Sequence, residues 1–268
     1  MKTRMFALFA NSLVLFALVV TPVATPAISS PQATFTVTTN SDVVDFLPGD
    51  GVCETATGNG MCTLRAAIME ANALIGEDII ELPAATYKLT IPGADEDLGA
   101  TGDLDITESV TITGTGYMDT VIDAINLNDR VIHVLPAAGI VTIAGVIIQN
   151  GLILNHTSGG ILNFSDLTLE DVYFYLNRAS MDGGAISNYG ELNLKNVTLY
   201  KNSASMWGGG IYTNSPIFAD GLYLGYNTSD AEGGGLFATT NANLDLVSAV
   251  FNLTPREIVA GICSSQAG

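Results

Sequence analysis

The chain of 268 residues holds 9 basic and 27 acidic residues, a formal charge of −18, and 48% of its residues are hydrophobic. That field repels phosphate backbones and anionic headgroups, which excludes nucleic-acid binding and favours solubility or cation association. Lys2 and Arg4 fall within residues 1–30, which hold no acid, so beyond that point 7 basic and 27 acidic residues leave −20.

Residues 1–30 read as a secretory signal peptide. Lys2 and Arg4 precede the short apolar run "MFALFANSLVLFALVV", and small residues follow around "VATPAISS". Cleavage is expected near Ala27, with an uncleaved anchor as the alternative. No later stretch is apolar enough to span a bilayer, so the processed chain is expected to be secreted or held at the cell surface without a transmembrane segment.

Residues 33–77 read as an N-terminal cap. "TFTVTT" alternates like a strand, "PGDG" turns, and "CTLRAAIMEANALIG" places Leu64, Ile68, Ala71 and Leu74 at helical spacing. Thr63 suits the start of that helix and Gly76 its end. Of the three cysteines, Cys53 and Cys62 are expected to close a short disulfide loop, which export permits. Cys263 is left over, either free or paired between molecules.

Residues 78–157 contain the irregular strand-like pieces "SVTITG", "TVIDA", "RVIHVL" and "IVTIAGVIIQNG". Residues 158–255 repeat every 25 residues: Ile161, Ile186, Ile211 and Leu236 are in phase, and so are Leu167, Leu192, Ile217 and Ala242. Val172, Val197, Leu222 and Val247 form another column, and Phe174, Leu199, Leu224 and Ala249 a further one. Asn177, Asn202, Asn227 and Asn252 make a fifth.

Within each repeat the apolar residues alternate, as in "LNLKNVTL", which is the periodicity of strands. Short strands at constant spacing predict an all-β fold, a single-strand parallel β-helix in which equal columns become vertical stacks. Crossover chirality makes it right-handed. The asparagines are expected to form a structural amide ladder, and the glycine pairs to sit at a corner. About seven coils are expected, at one strand spacing of ~4.8 Å each. Residues 256–268 break the pattern and read as a tail or a truncated end.

"GDGVCETATGNGMCTLRAAIMEAN" resembles the CSLREA domain found at the start of exported bacterial β-helix proteins, departing at Thr63 for Ser and Ala66 for Glu. "GGAI" and "FYLN" are similar to repeats of polymorphic outer-membrane proteins. The resemblance implies a secreted or surface β-helix with no established enzymatic activity.

A β-helix lyase or hydrolase would need carboxylates gathered in adjacent columns, at ~5–9 Å for a glycosidase. The one charged column, Glu170, Lys195, Asp220 and Asp245, alternates in sign before ending in two acids and reads as a solvent-facing ladder. No catalytic residue and no obligatory cofactor is assigned. His133 and His156 lack zinc spacing. The acidic loop "GADEDLGATGDLDI" offers Asp95, Asp97, Asp103 and Asp105 as calcium candidates through oxygen.

Tyr173, Tyr175, Tyr200 and Tyr223 occupy positions alternate to the inward columns and are expected on one exposed face, suited to carbohydrate or other cell-surface components. The expected role is structural, adhesive or glycan-contacting. The alternatives are a polysaccharide-degrading enzyme or a remnant of a larger surface protein.

Overall fold

A computed structural model describes residues 32–93 and 96–252. The expected signal segment, Asp95, Cys263 and the 256–268 tail lie outside the described residues. The fold is an all-β parallel solenoid of about six turns with one helix, slightly fewer than the expected coil number. Strands fall into parallel sheets of eight, seven, six and four members that run along the rod.

One regular coil shows how sequence becomes wall. Ile161–Asn163 lies in the six-stranded sheet, Asp166–Glu170 in the eight-stranded sheet and Tyr173–Tyr175 in the seven-stranded sheet. Arg178–Ala179 belongs to the four-stranded sheet before the next coil begins. Alternation sends Ile161, Leu167, Leu169, Val172 and Phe174 inward, where each is buried. Each such aliphatic or aromatic side chain contributes about 1.5–3 kcal/mol through removal from water.

The register places Ile161 beside Ile186 and Ile186 beside Ile211, so the core is built of like on like. Ile148 stands beside Phe174 although they are 26 residues apart, so the irregular coils join the same stacks. Left-handed residues mark the corners. Asp171 and Asn196 turn one corner and Leu176 and Lys201 the next, all with positive φ.

Glycine is required at a third corner for two reasons. Gly208 has φ of +67°, and at Gly209 a Cβ would lie 2.1 Å from the Thr228 carbonyl oxygen of the next coil.

The amide ladder is present over three rungs. Asn177 donates through its backbone N (2.9 Å) and Nδ2 (3.0 Å) to Asn202 Oδ1, and Asn202 repeats the pattern at 2.9 Å on Asn227 Oδ1. Each amide also donates to a carbonyl one coil back, as Asn202 does to Phe174 at 3.2 Å. These buried polar groups are therefore satisfied, as a dry interior demands.

The fourth rung fails. Asn252 pairs with Gly225 and reaches out to the Tyr223 hydroxyl at 3.1 Å. The last coil carries two extra residues, so Ile217 pairs with Leu244 and Leu224 with Phe251, 27 positions on. Ala242 and Val247 consequently leave the inward columns to Leu244 and Ala249, and Val247 is 56% exposed.

A second, unanticipated ladder runs inside the six-stranded sheet. Asn163 Nδ2 donates to Asn188 Oδ1 at 2.8 Å, and Asn188 Nδ2 to the Thr213 hydroxyl at 3.1 Å.

The first end of the rod is closed by β1 (Thr34–Thr36) and α1 (Leu64–Ala73). β1 extends the eight-stranded sheet beside β2 (Asp78–Leu82). Thr63 caps α1, its hydroxyl accepting Ala66 N at 3.0 Å, and Leu64, Ile68 and Ala71 are buried as the spacing predicts. The helix ends at Leu74, two residues before Gly76. Cys53 and Cys62 are joined.

After β3 (Ala85–Lys88), β4 (Leu104–Ile106) is the edge of the six-stranded sheet, and α1 covers that edge. Asn72 donates to Asp105 O at 2.7 Å and accepts from Thr107 N at 2.9 Å. Arg65, 0% exposed, binds Asp42 at 2.6 Å and donates to the carbonyls of Gly99 and Gly102, each at 2.8 Å. An uncovered edge strand would invite pairing with another chain.

Replacing Asn202 by Ala strands buried donors and acceptors on both sides and should cost about 2–4 kcal/mol in urea unfolding, while Asn252→Ala should change stability by less than about 0.5 kcal/mol. Equal effects would contradict the observed register. Arg65→Ala leaves Asp42 buried without its charge partner and should cost about 3–5 kcal/mol, read in the same way.

Candidate functional site

Three groups of side chains stand out on the rod's flanks. The first is the outward face of the seven-stranded sheet, where Tyr173, Tyr175, Tyr200 and Tyr223 are half-buried as alternation requires. Tyr175 stacks on Tyr200 with centroids 6.3 Å apart and planes at 18°, and Tyr173 lies 6.2 and 6.4 Å from the two. Tyr117 and Tyr226 extend the group at 6.3 Å from Tyr173 and 5.3 Å from Tyr200. The Lys201 ammonium sits 5.2 Å from the Tyr200 ring centre.

Gly225 is what lets Tyr223 join them. A Cβ there would lie 2.6 Å from Tyr223 Cε1 and 3.0 Å from Tyr200 Cδ2. The result is an aromatic surface of half-buried tyrosines along the sheet.

A second aromatic row, not foreseen from the sequence, runs past the six-stranded sheet. Phe164 stacks on Tyr189 at 5.1 Å, Tyr189 meets Tyr212 at 5.9 Å, and Tyr212 stacks on Phe237 at 5.8 Å. Trp207 closes this row against Phe237 at 5.5 Å and so does not border the tyrosine face. Burial first, then Tyr212 and Asp182 nearby, push the Tyr189 phenol up to about 12. The spacing signal existed: Tyr212 and Phe237 are 25 apart, as are Phe164 and Tyr189.

The third group is an acidic pocket of about 380 Å³ lined by Asp97, Asp103, Asp129, Arg130, His133 and His156 among others. It gathers residues that the sequence leaves scattered, and His133 lies in it beside carboxylates. Asp103 is 3.1 Å from Arg130 Nε, and Asp129 Oδ1 is 3.9 Å from the same nitrogen. Burial above all, reinforced by Asp105 and Asp129 and opposed by Arg130, raises Asp103 to about 8. Burial likewise raises Asp105 and Asp129.

The three described calcium candidates divide between two partners. Asp97 and Asp105 meet at His133, Asp103 turns to Arg130, and Asp95 lies outside the described residues.

The charged column also ends differently from its sequence reading. Glu170 and Lys195 pair at 3.6 Å in solvent, but Asp220 aligns with Val247, and Asp245 with Phe218. The extra residues of the last coil are the cause. An exposed pair of this kind is worth about 0–1 kcal/mol.

Residues 196–214 match the Chlamydia polymorphic membrane protein (Chlamydia_PMP) repeat. The matched stretch is shorter than one 25-residue coil and spans "LYKN" and "GGGI", a strand end with its ladder asparagine and the glycine corner. Comparison with curated proteins and with solved structures returns no match. Among the described residues no helix is long and apolar enough to cross a membrane.

The Tyr189 environment gives a test of the second aromatic row. A phenol ionising at about 12 when folded and at about 10 when unfolded stabilises the fold fully below pH 10, and that contribution is lost as pH rises through 12. Tyr189→Phe should flatten the fall in melting temperature over that interval, and an unchanged slope would place Tyr189 in water.

Proposed function

We propose that this chain is a secreted or cell-surface β-helix protein with a structural, adhesive or glycan-contacting role and no enzymatic activity. Support comes from a polymorphic-membrane-protein-type repeat carried on a parallel solenoid. The apolar leader-like start and the CSLREA-like segment at residues 49–72 agree with export.

The observation that carries the reading is the cluster of Tyr173, Tyr175 and Tyr200, with Tyr223 beside it over Gly225. Half-exposed aromatic faces about 6 Å apart match the size of pyranose rings, whose C–H faces pack on aromatic carbon. The phenol hydroxyls add polar groups for hydrogen bonds to sugar hydroxyls. Burying four such rings under a ligand removes apolar surface that otherwise faces water. The long-range negative field selects neutral or cationic glycans over polyuronates, which it repels.

A second reading rests on the acidic pocket. Carboxylates beside an arginine in a cavity of about 380 Å³ are also the raw material of a polysaccharide-degrading site. Against it, Asp103 and Asp129 both face Arg130, and Glu96 accepts the backbone N–H groups of Leu98 (3.0 Å) and Thr101 (2.7 Å). These are contacts that hold the loop in place.

On a glycan array, the protein should bind neutral glycans, and Tyr175→Ala with Tyr200→Ala should weaken that binding by at least about tenfold, since each aromatic contact is worth ~0.5–1.5 kcal/mol beyond its area. Unchanged binding in the double variant removes the tyrosine face as the site. Turnover of a polysaccharide that is abolished by Asp129→Asn would establish the second reading in its place.

A further inference from the structure

Asp105 and His133 are register partners, the middle residues of β4 and of Ile132–Val134 in the adjacent coil. Both point away from the rod's core, because the residues flanking each of them point inward and are buried. On later coils the same outward row continues through Ser187, Tyr212 and Phe237. At this end a loop covers it, and that loop brings Asp97. The ligand-type atoms of Asp97, Asp105 and His133 all lie within 4.8 Å of one another.

The contacts within the cluster leave it incompletely satisfied. Asp105 Oδ2 accepts Gly99 N at 2.9 Å, which fixes the carboxylate plane. Its Oδ1 is buried and misses strict hydrogen-bond geometry with any donor, its near neighbour being His133 Nδ1 at 3.2 Å, whose contact favours the ionised carboxylate against burial. His133 Nε2 is likewise buried without a hydrogen-bond partner. Asp97 Oδ1 stands 3.7 Å from Nδ1 on the open side. The Asp105 side chain is 0% exposed and its Oδ1 faces His133 Nδ1, while Asp97 and His133 line the adjoining pocket of about 380 Å³, an arrangement with room for a cation among the three.

We propose that Asp97, Asp105 and His133 hold one divalent transition-metal ion, zinc in preference to calcium. Zinc ligands about 2.0–2.1 Å from a tetrahedral ion stand about 3.4 Å apart. The separations of Asp105 and Asp97 from His133 Nδ1, 3.2 and 3.7 Å, bracket that value. One imidazole with two carboxylates is a donor set that borderline metals accept, whereas calcium takes six to eight oxygens.

The supporting shell is in place. Gly99 orients Asp105, and Asn72 clamps the backbone of residues 105 and 107. His133 packs edge-on against Phe164 at 5.8 Å. A fourth position is left toward the pocket, for water or a ligand atom. Bound there, the ion would tie the covering loop to the first two coils. The proposal stands apart from the tyrosine face.

Calorimetric titration of the chelator-treated chain with zinc chloride alone, and separately with calcium chloride, tests this. One zinc should bind per chain at least about tenfold more tightly than calcium, and His133→Ala and Asp97→Asn should each weaken zinc binding by at least about tenfold. Asp97 sits on the surface, with a side chain 68% exposed, so its variant keeps the fold and guards against a trivial loss. No zinc binding, calcium binding as tight as zinc, or smaller losses in the two variants would overturn the proposal. The cluster would then be a histidine held between two carboxylates.

Discussion

Parallel strands of successive coils hydrogen-bond in register, which sets each residue over its counterpart about 4.8 Å away. Everything else in the rod depends on that spacing being kept. It turns one inward leucine into a stack of aliphatic side chains, and one inward asparagine into a chain of amides in which every donor finds an acceptor. A buried amide is costly alone and harmless in a ladder, so the asparagine column both requires the register and enforces it.

The same rule makes the ends of the rod the difficult places. At the first end, the edge strand Leu104–Ile106 has backbone groups with no coil beside them, and α1 meets that demand with side chains. Asn72 behaves as a substitute strand, bonding one carbonyl and one N–H. Arg65 serves three more carbonyls on the covering loop, with Asp42 neutralising it. At the other end the last described coil lengthens by two residues, and Leu244, Leu246, Ala249 and Phe251 are only partly covered.

Function on such a scaffold divides between wall and end. The wall repeats, so whatever faces outward from it repeats as well, and an aromatic face suits extended or repetitive partners. The covered end does not repeat. There a loop folds back over the sheet, encloses a cavity and brings unlike groups together, which is the condition for a specific site. The tyrosine face and the Asp97–Asp105–His133 cluster are therefore different kinds of surface, set by different parts of the chain.

The sequence by itself determined the fold class, the helix at Leu64–Ala73 with its Thr63 cap, the Cys53–Cys62 bridge and three of four rungs of the amide ladder. It did so because a constant 25-residue period converts directly into vertical neighbours. Tyr175 over Tyr200 was legible for the same reason. Tertiary structure alone decided the rest, wherever the period drifts. Asp105 pairs with His133 across 28 positions, so no column revealed them. Asn252, Val247 and Asp245 left their columns because two residues were added in the turn before Leu244, and the effect of an insertion on register depends on which corner absorbs it. The loop that lays Asp97 against the first coils obeys no repeat. Its position comes from Arg65 and the buried carboxylates beneath it, contacts between segments that only the folded chain brings together.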